Sequence, residues 1–419
     1  MAEINASIIT IGDELLIGQT IDTNSAYIAQ ELNKIGIWVK RRVAVGDVRE
    51  EILKALQEQS RDCQLIIITG GLGPTADDIT KPSLCGYFNT QLVTNEEALE
   101  NVRSIFTRMN RPLTERNIKQ AEVPDGCTVL QNKRGTAPGM WFEKDSVVYI
   151  SLPGVPHEMT GLMEHSVLPT LKSHFTLPAV IHKTAVTVGQ GESFIADRLI
   201  AFEATLPQHI KLAYLPMYGM VRLRLTGKGA YAALLEKEME NHFQKLQILV
   251  QEWLVADEDK SLLEVVAQLL EEKKKSVVTA ESCTGGYIAH LFTSRAGASL
   301  TFRGGVVGYA NEVKEQTLHV QRNTFERYGA VSEETVVEMV QGALEVMHAD
   351  YAVATSGIMG PDGGTKDKPV GTVWIAVASK RNIQAVKHFV RFDRKRNIEL
   401  TAQLALNMLR RLILAEEKQ

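Results

Sequence analysis

Short apolar runs alternate with amphipathic stretches along the first part of the chain. The runs are rich in β-branched residues, and the stretches between them carry apolar residues at helical spacing. Runs of this kind, separated by helices, predict βαβ units around a parallel sheet. Strands are expected at residues 6–11, 38–45, 65–69 and 147–152, and also at 128–130, with helices at 24–35 and 50–57.

The pattern changes between residues 182 and 254. KTAVTVG and KLAYLPMYGMVRLRLTG show the period-two alternation of strands, the second as a hairpin, and helical segments lie between and after them. Arg222 and Arg224 alternate with apolar residues, which is typical of the solvated face of an edge strand. The segment is therefore predicted to be a small α+β domain.

A third alternation of strands and helices begins near Ser261 and continues towards the end of the chain. It predicts a separate α/β domain. The expected helices are 287–293 and 332–347 after a long helix that begins near 261, and the expected strands are 276–280, 305–309, 351–356 and 372–379.

Composition narrows the class of protein without giving a function. The chain has 419 residues, of which 44% are hydrophobic and 23% charged, as in a globular protein of more than one domain. The formal net charge of −4 predicts no attraction to nucleic acid. Four scattered cysteines suggest free thiols in a reducing compartment. Without a signal-peptide pattern or a membrane-length apolar run, we expect a cytoplasmic protein.

TGGLGPTADDIT follows a predicted strand in the N-terminal region. Gly70, Gly71 and Gly73 allow backbone N–H groups to approach an anion closely. Asp77 and Asp78 are hard oxygen ligands that suit a divalent metal. Phosphate and metal chemistry is therefore a hypothesis for this loop.

Other loops are expected at the same sheet edge, where open α/β folds bind ligands. They are GDELLIG, the turn around Asp47, GTAPGM with Thr136, and LPGVPHEM with His157 and Glu158. Each loop taken alone can also be a tight turn, and His157 alone is better explained by loop packing than by metal binding.

GDELL, TGGLGPTADDIT, GTAPG and LPGVPHEM together resemble the molybdopterin-binding fold of the CinA family over roughly the first 175 residues. The resemblance implies hydrolysis of the pyrophosphate of ADP-ribose with a divalent metal (Mg, Mn or Co) and potassium. It also implies metal ligation by Asp47, Asp78 and Glu158, catalysis through Asp78, and phosphate or substrate binding by Gly70, Gly71, Gly73, Thr75 and Thr136.

AESCTGG, residues 280–286, runs from a strand into a predicted helix. Free N–H groups at Gly285 and Gly286 and the positive end of the helix would favour an anion, with phosphate as the natural ligand. Cys283 could be a nucleophile, but no histidine lies nearby in sequence, so a buried thiol is the preferred interpretation.

Hydroxyl and amine side chains follow in AGAS, GYANEVK and TSGIMGPDGG. Ser299 could be a helix N-cap or a nucleophile, since a desolvated lysine such as Lys314 can take the proton of a serine hydroxyl. Tyr309 could orient that lysine, and the loop after Ser356 could wrap a ribose or a phosphate.

AESCTGG, AGAS, YANEVK, GAVSEE, SGIMGPDGG and KPVGTVW closely match the C-terminal domain of the same CinA family, over residues 256–415. The resemblance implies deamidation of nicotinamide mononucleotide without a cofactor, through an acyl-enzyme formed on Ser299. It places the catalytic residues at Ser299, Lys314, Tyr309 and Ser356, and substrate contacts at Thr284, Gly285, Gly286, Gly360, Asp362 and Gly363.

The resulting hypothesis is an α/β protein with two three-layer domains joined by a small α+β domain that resembles a KH module. The predicted boundaries are 1–175, 176–255 and 256–419. We expect a homodimer that acts on small nucleotides and does not contact nucleic acid or membranes. The alternative is a pterin-binding or regulatory scaffold linked to competence and DNA damage.

Overall fold

The computed structural model describes residues 4–75, 77–217 and 219–417. Residue contacts divide the chain into two compact units, Met1–Ile181 with Gly227–Glu238, and His182–Thr226 with Met239–Gln419. The three-domain division at residues 175 and 255 stays a prediction.

Strands and helices alternate as the apolar pattern predicts. The strands are β1 (Asn5–Ile11), β2 (Trp38–Val45), β3 (Leu65–Thr69), β4 (Leu92–Thr94), β5 (Glu122–Pro124), β6 (Thr128–Leu130), β7 (Gly139–Lys144), β8 (Val147–Leu152), β9 (Ala179–Val188), β10 (Ile210–Met217), β11 (Met220–Gly229), β12 (Leu254–Ala256), β13 (Val277–Glu281), β14 (Phe302–Val307), β15 (Tyr351–Gly357), β16 (Thr372–Ser379) and β17 (Ile383–Phe389).

The helices lie between these strands, with short 3₁₀ turns at Lys119–Ala121 and Ala298–Leu300 and a π-helical turn at Met163–Val167. They are α1 (Asp13–Leu16), α2 (Thr23–Lys34), α3 (Arg49–Gln59), α4 (Thr80–Phe88), α5 (Glu96–Arg108), α6 (Glu115–Ile118), α7 (Pro156–Leu162), α8 (Leu168–His174), α9 (Glu192–Glu203), α10 (Ala232–Leu249), α11 (Leu262–Glu272), α12 (Tyr287–Thr293), α13 (Asn311–Leu318), α14 (Arg322–Tyr328), α15 (Glu333–Met347) and α16 (Arg394–Glu417).

The first unit is built on a six-stranded sheet with the order β2-β1-β3-β8-β7-β6. The first four strands are parallel, whereas β7 pairs antiparallel with β8 and β6 pairs antiparallel with β7, so the predicted parallel sheet is in fact mixed. Strand β3 is buried along its whole length, as its sequence LIIIT requires of a central strand. Separate apolar cores on the two faces give the three-layer arrangement.

A four-stranded sheet has the order β10-β11-β9-β12. The expected hairpin is present as β10 and β11, and α9 and α10 are the helices predicted between and after the strands. The segment is an α+β arrangement, and its likeness to a KH module stays a prediction.

The C-terminal α/β region has a five-stranded sheet with the order β14-β13-β15-β16-β17. Strands β14, β13 and β15 are parallel, β16 pairs antiparallel with β15, and β17 pairs antiparallel with β16. One face packs against α11, α12 and α16, and the other against α15 and the end of α13. The antiparallel strand β17 and the long helix α16 were not anticipated from the sequence.

The described helices were compared with the requirements for a membrane span. None of those within the described ranges combines the length and the apolar character needed to cross a bilayer. The cytoplasmic location stays a prediction.

Candidate functional site

The carboxylates predicted for the N-terminal site follow different strands of one parallel set. Asp47 comes after β2, Asp78 comes after β3, and Glu158 lies in α7 after β8. Because parallel strands end at the same edge, all three lie at one edge of the sheet. Strand β2 is two positions away from β3, however, which is roughly 10 Å at the usual strand spacing.

A cavity of about 490 Å³ opens at this edge, and it contains only part of the predicted set. Asp78, Thr136 and Glu158 line it together with the glycine-rich loop and the Pro153–Gly154 turn. Asp47, Gly70 and Thr75 are not part of the lining. The cavity thus brings together Asp78, Thr136 and Glu158 and leaves out Asp47, Gly70 and Thr75, and the roles predicted for all six residues stay predictions.

Asp78 holds the glycine-rich loop in shape. Its carboxylate accepts hydrogen bonds from the backbone N–H groups of Gly73, at 2.7 Å, and Thr75, at 2.8 Å, and from the Thr75 hydroxyl. A Cβ at Gly73 would collide with this carboxylate. Two of the N–H groups expected to cradle a phosphate are thus occupied by an acidic side chain of the same loop, and the Gly70 N–H donates to the Leu152 carbonyl.

Gly70 and Gly71 are required by close packing and backbone geometry. Their φ angles are +115° and +63°, a region that favours glycine. A Cβ on Gly70 would overlap the Ile11 carbonyl oxygen, and one on Gly71 would overlap the Thr80 hydroxyl. Thr80 in turn donates to the Gly70 carbonyl at 3.0 Å, which fixes the turn against α4.

Glu158 projects into the cavity beside Gly135. Its carboxylate accepts a 2.7 Å hydrogen bond from the Asn132 amide, and any side chain on Gly135 would overlap it. Burial raises the pKa of Glu158, while the hydrogen bond from Asn132 and the neighbouring His157 act in the opposite direction. The net effect is a pKa above the ordinary value of a glutamate.

Asp47 belongs to a different acidic group. It exchanges hydrogen bonds with Asp13, each carboxylate accepting from the other residue's backbone N–H. Burial, together with the nearby acids Asp13, Glu14 and Asp77, raises the pKa of Asp47. Within the described residues no group of three or more acidic, histidine or cysteine side chains is arranged to hold a metal. Asp47, Asp78 and Glu158 thus do not fit a three-carboxylate metal cage.

Lys81 is a residue of this region that the sequence did not single out. Its side chain is buried, and its ammonium donates a 2.8 Å hydrogen bond to the carbonyl of Gln120, a residue of the cavity lining. Burial lowers the pKa of Lys81 to about 8, against the opposing effect of Glu122 and Asp78. The sequence feature that could have identified Lys81 is its position three residues after Asp78.

In the C-terminal region Glu281 occupies the start of helix α12. Its buried carboxylate accepts hydrogen bonds from the N–H groups of Gly286, Ile288 and Ala289 at 2.7–3.1 Å. The Gly285 N–H donates to the Ser282 carbonyl. The expectation of free N–H groups for a phosphate is therefore wrong, because an internal carboxylate satisfies them.

Lys314 lies in α13, past the end of β14, and only 1% of it is exposed. Its ammonium donates a 3.1 Å hydrogen bond to the Tyr309 carbonyl and lies close enough to Cys283 for the two groups to interact electrostatically. Burial lowers the pKa of Lys314. A lysine in this state can act as a base, as the sequence predicts.

Ser299 lies before β14, at the opposite end of this strand from Lys314. It is exposed within the 3₁₀ turn Ala298–Leu300, where Gly297 and not Ser299 is the N-cap. The six residues of β14 separate this turn from Lys314, and at about 3.3 Å per residue they span roughly 20 Å. A single chain therefore does not bring the Ser299 hydroxyl to the Lys314 amine.

Ser282 is the hydroxyl residue that the sequence reasoning missed. It directly follows β13, and the β13 terminus pairs with the end of β14 that leads to Lys314. Its backbone N–H donates to the Thr355 carbonyl at 2.9 Å. In the described ranges no hydrogen bond uses the Ser282 hydroxyl. The sequence feature that could have identified Ser282 is its place in AESCTGG, at the end of the predicted strand.

Two further hydroxyl groups at this edge are engaged in structural hydrogen bonds. The Thr284 hydroxyl shares a 2.7 Å hydrogen bond with Thr355. Ser356 is buried, and its hydroxyl donates to the Ala330 carbonyl at 2.6 Å. Both residues lie with Ser282 at the edge where β13 and β15 end.

Cys283 is buried next to Ser282. Burial raises the pKa of its thiol to about 12, and the proximity of Glu281 acts in the same direction. Nucleophilic attack requires the thiolate, which is scarce at neutral pH when the pKa is this high. The structure thus agrees with a buried thiol in preference to a nucleophile.

Tyr309 is joined to the glycine-rich loop after β15 by Arg394. The guanidinium donates to the Gly360 carbonyl at 3.0 Å and to the Tyr309 hydroxyl at 3.1 Å. Asp362 and Gly363 lie on the same loop, and Asp362 is exposed. Arg394 was not identified from the sequence.

Comparison with known proteins adds family matches for both regions. The family model described as "Probable molybdopterin binding domain" matches residues 7–173. The family model "CinA C-terminal domain" matches residues 259–413. These two ranges contain the two sets of residues described above.

Full-length relatives are similar to this chain. A "CinA-like protein" from Cytophaga hutchinsonii is 46% identical, over 97% of this chain and 98% of the relative. Another, from Flavobacterium psychrophilum, is 44% identical over 98% of each chain. The solved structure of competence/damage inducible protein CihA from Agrobacterium tumefaciens is 36% identical, with a TM-score of 0.35, and covers 36% of this chain and 96% of its own.

Proposed function

Since the chain belongs to the CinA family, we propose that its C-terminal domain hydrolyses the amide of nicotinamide mononucleotide to nicotinic acid mononucleotide and ammonia. The observation that carries this proposal is the pair formed by a buried lysine and a serine at one sheet edge. Lys314 has a lowered pKa, and Ser282 follows the neighbouring strand with its hydroxyl unengaged.

The proposed reaction begins when neutral Lys314 takes the proton of the Ser282 hydroxyl. The serine oxygen attacks the carboxamide carbon and forms a tetrahedral intermediate. The C–N bond then breaks, and the ammonium of Lys314 returns its proton to the leaving nitrogen, which departs as ammonia. Water hydrolyses the resulting ester by the same proton transfers, which releases the carboxylic acid and restores the serine.

Tyr309 and Ser356 have supporting roles in this scheme. The Tyr309 carbonyl accepts from the Lys314 ammonium and orients it. The Ser356 hydroxyl donates to the Ala330 carbonyl, which fixes the end of β15 beside the reacting groups. Removal of either hydroxyl should therefore slow deamidation less than removal of Ser282 or Lys314.

The direct test is ammonia release from nicotinamide mononucleotide by the purified full chain. The proposal requires stoichiometric ammonia and nicotinic acid mononucleotide, without added metal and in the presence of a chelator. A chain that is folded, as judged by its cooperative thermal transition, but releases no ammonia would refute the amidase.

For the N-terminal domain we propose binding and hydrolysis of ADP-ribose to AMP and ribose 5-phosphate. Support comes from the 490 Å³ cavity, which suits a nucleotide fragment and contains Glu158 with a raised pKa. The carboxylates present do not form a complete metal site, so the dependence on Mg, Mn or Co and on potassium stays a prediction from the family. The experiment is to measure AMP formation with each cation and with a chelator.

The rival function is a binding or regulatory protein without turnover. It predicts that a pterin or a nucleotide binds but that neither ammonia nor AMP is formed. Lys314 favours the enzyme, because a binding site for a neutral amide does not need a desolvated amine that lacks a carboxylate partner in the described ranges.

A further inference from the structure

Arg394 lies at the beginning of α16, at the same edge as Lys314 and Ser282, and none of the functional assignments above uses its charge. The side chain is exposed. Two of its N–H groups are held by neutral acceptors, the Gly360 carbonyl and the Tyr309 hydroxyl. A guanidinium has five N–H donors, so three remain available for a ligand.

The Arg394 charge has no acidic partner in the part of the chain that the structure describes. Two other arginines of the C-terminal region differ in this respect. Arg396, two residues further along the same helix, pairs with Asp393 at 3.3 Å, and Arg295 pairs with Glu271. Arg394 is therefore a guanidinium fixed in position but not neutralised, and such a group favours an anionic ligand.

The contacts of Arg394 also connect it to the reacting groups. Tyr309 bonds Lys314 through its carbonyl and Arg394 through its hydroxyl. From the other side, the buried Asn397 donates to the Met359 carbonyl at 3.0 Å, so the start of α16 holds the loop at two successive carbonyls. The guanidinium thus has a fixed position relative to Lys314.

We propose that Arg394 binds the phosphate of the nucleotide substrate and makes the C-terminal site select a phosphorylated nucleoside over the free nucleoside. The inference rests on the proposed amidase function, which it deepens. It moves the phosphate site from the Gly285–Gly286 turn, whose N–H groups are occupied, to a fixed cation at the start of α16.

The test is equilibrium binding of nicotinic acid mononucleotide and of its nucleoside to the full chain. Calorimetry is done with the wild type, Arg394→Ala, and Arg396→Ala as the matched control from the same helix. We expect Arg394→Ala to weaken nucleotide binding about 10- to 100-fold, as for loss of a charge-assisted hydrogen bond. Nucleoside binding should stay within about twofold of the wild-type value, because the nucleoside has no phosphate for Arg394 to contact.

Two results would overturn the inference. Equal weakening of both ligands by Arg394→Ala would mean that the residue only holds the loop. Unchanged binding of both ligands would mean that the guanidinium does not contact them. Arg396→Ala should leave both affinities near the wild-type values, and Arg394→Lys should recover part of the nucleotide affinity because it keeps the charge without the planar fork.

Deamidation is measured separately on the same samples. If the wild type prefers the nucleotide and Arg394→Ala removes that preference, while no ammonia is released, the amidase proposal fails and the phosphate site stands. If ammonia is released but the affinity ratio of nucleotide to nucleoside is unaffected by Arg394→Ala, the amidase stands and the Arg394 assignment fails.

Discussion

The two regions each contain a strand, a glycine-rich turn and a helix, and each turn is filled by a carboxylate of the chain itself. Asp78 takes the N–H groups of Gly73 and Thr75, and Glu281 takes those of Gly286, Ile288 and Ala289. In both regions an internal carboxylate therefore occupies N–H groups that were expected to bind a phosphate.

The difference lies in the side chains around each turn. Carboxylates of Asp78 and Glu158 line the N-terminal cavity, whereas the C-terminal region has the buried Lys314 and the fixed Arg394, both hydrogen-bonded to Tyr309. The surrounding charges, more than the glycines, therefore decide which ligand each region can bind and which reaction it can support.

The largest effect that would sharpen this comparison is expected from Lys314→Met. Loss of the base should reduce kcat/KM for deamidation by about 10²- to 10⁴-fold. In the wild type the rate should fall as the pH falls, because protonation removes the neutral amine, and the lowered pKa of Lys314 places this fall below the ordinary value of 10.5. A pH profile measured for both proteins checks this.

The control for Lys314→Met is AMP formation from ADP-ribose, which should be unchanged because the lysine belongs to the other region. Deamidation by Lys314→Met at the wild-type rate, with the same pH profile, would exclude the lysine as the base.

A second expected effect concerns stability. Glu281→Ala would remove the buried carboxylate that accepts from the N–H groups of Gly286, Ile288 and Ala289, of which Ile288 is fully buried. We expect a loss of about 3 kcal/mol in the free energy of unfolding, measured by denaturant titration. A loss below about 0.5 kcal/mol would show that water or a ligand serves these groups as well as the carboxylate does.

The corresponding change in the N-terminal turn should cost less. Asp78 is only partly buried, so water can replace its carboxylate at the Gly73 and Thr75 N–H groups, and Asp78→Ala should cost about 1 kcal/mol. AMP formation should fall much more than stability if Asp78 also acts on the substrate. Wild-type AMP formation by the folded variant would restrict Asp78 to holding the loop.

The smallest effect is expected from Cys283→Ala. Burial keeps the thiol protonated, so deamidation should stay within about twofold of the wild-type rate, with a modest loss of stability from the missing sulfur. Loss of activity comparable to that of Lys314→Met would make the cysteine the nucleophile and contradict the proposed mechanism.

Much of the fold is readable from local patterns. Strands β3, β8 and β16 and helix α12 have the predicted boundaries, because their apolar runs are bounded by clear turn residues. Strand β14 starts three residues earlier than predicted, since Gly304 and Gly305 weaken its strand pattern. Long-range sheet pairing, such as the addition of antiparallel β17, leaves no comparable local signal.

The candidate sites show the same limit more sharply. Ser299 and Lys314 are only fifteen positions apart in the sequence. Strand β14 lies between them, however, and places them at its opposite ends. Arg394 meets Tyr309 from 85 positions away. Neither relation follows from spacing, because both depend on how the strands and α16 are packed.

The most direct test of the account is a comparison of ammonia release by Ser282→Ala and Ser299→Ala at saturating nicotinamide mononucleotide. The account predicts that Ser282→Ala loses at least about 10³-fold in kcat, whereas Ser299→Ala, exposed on the far side of β14, keeps a rate near that of the wild type. If Ser299→Ala lost more ammonia release than Ser282→Ala, the claim that the reacting serine lies at the Lys314 end of β14 would be contradicted.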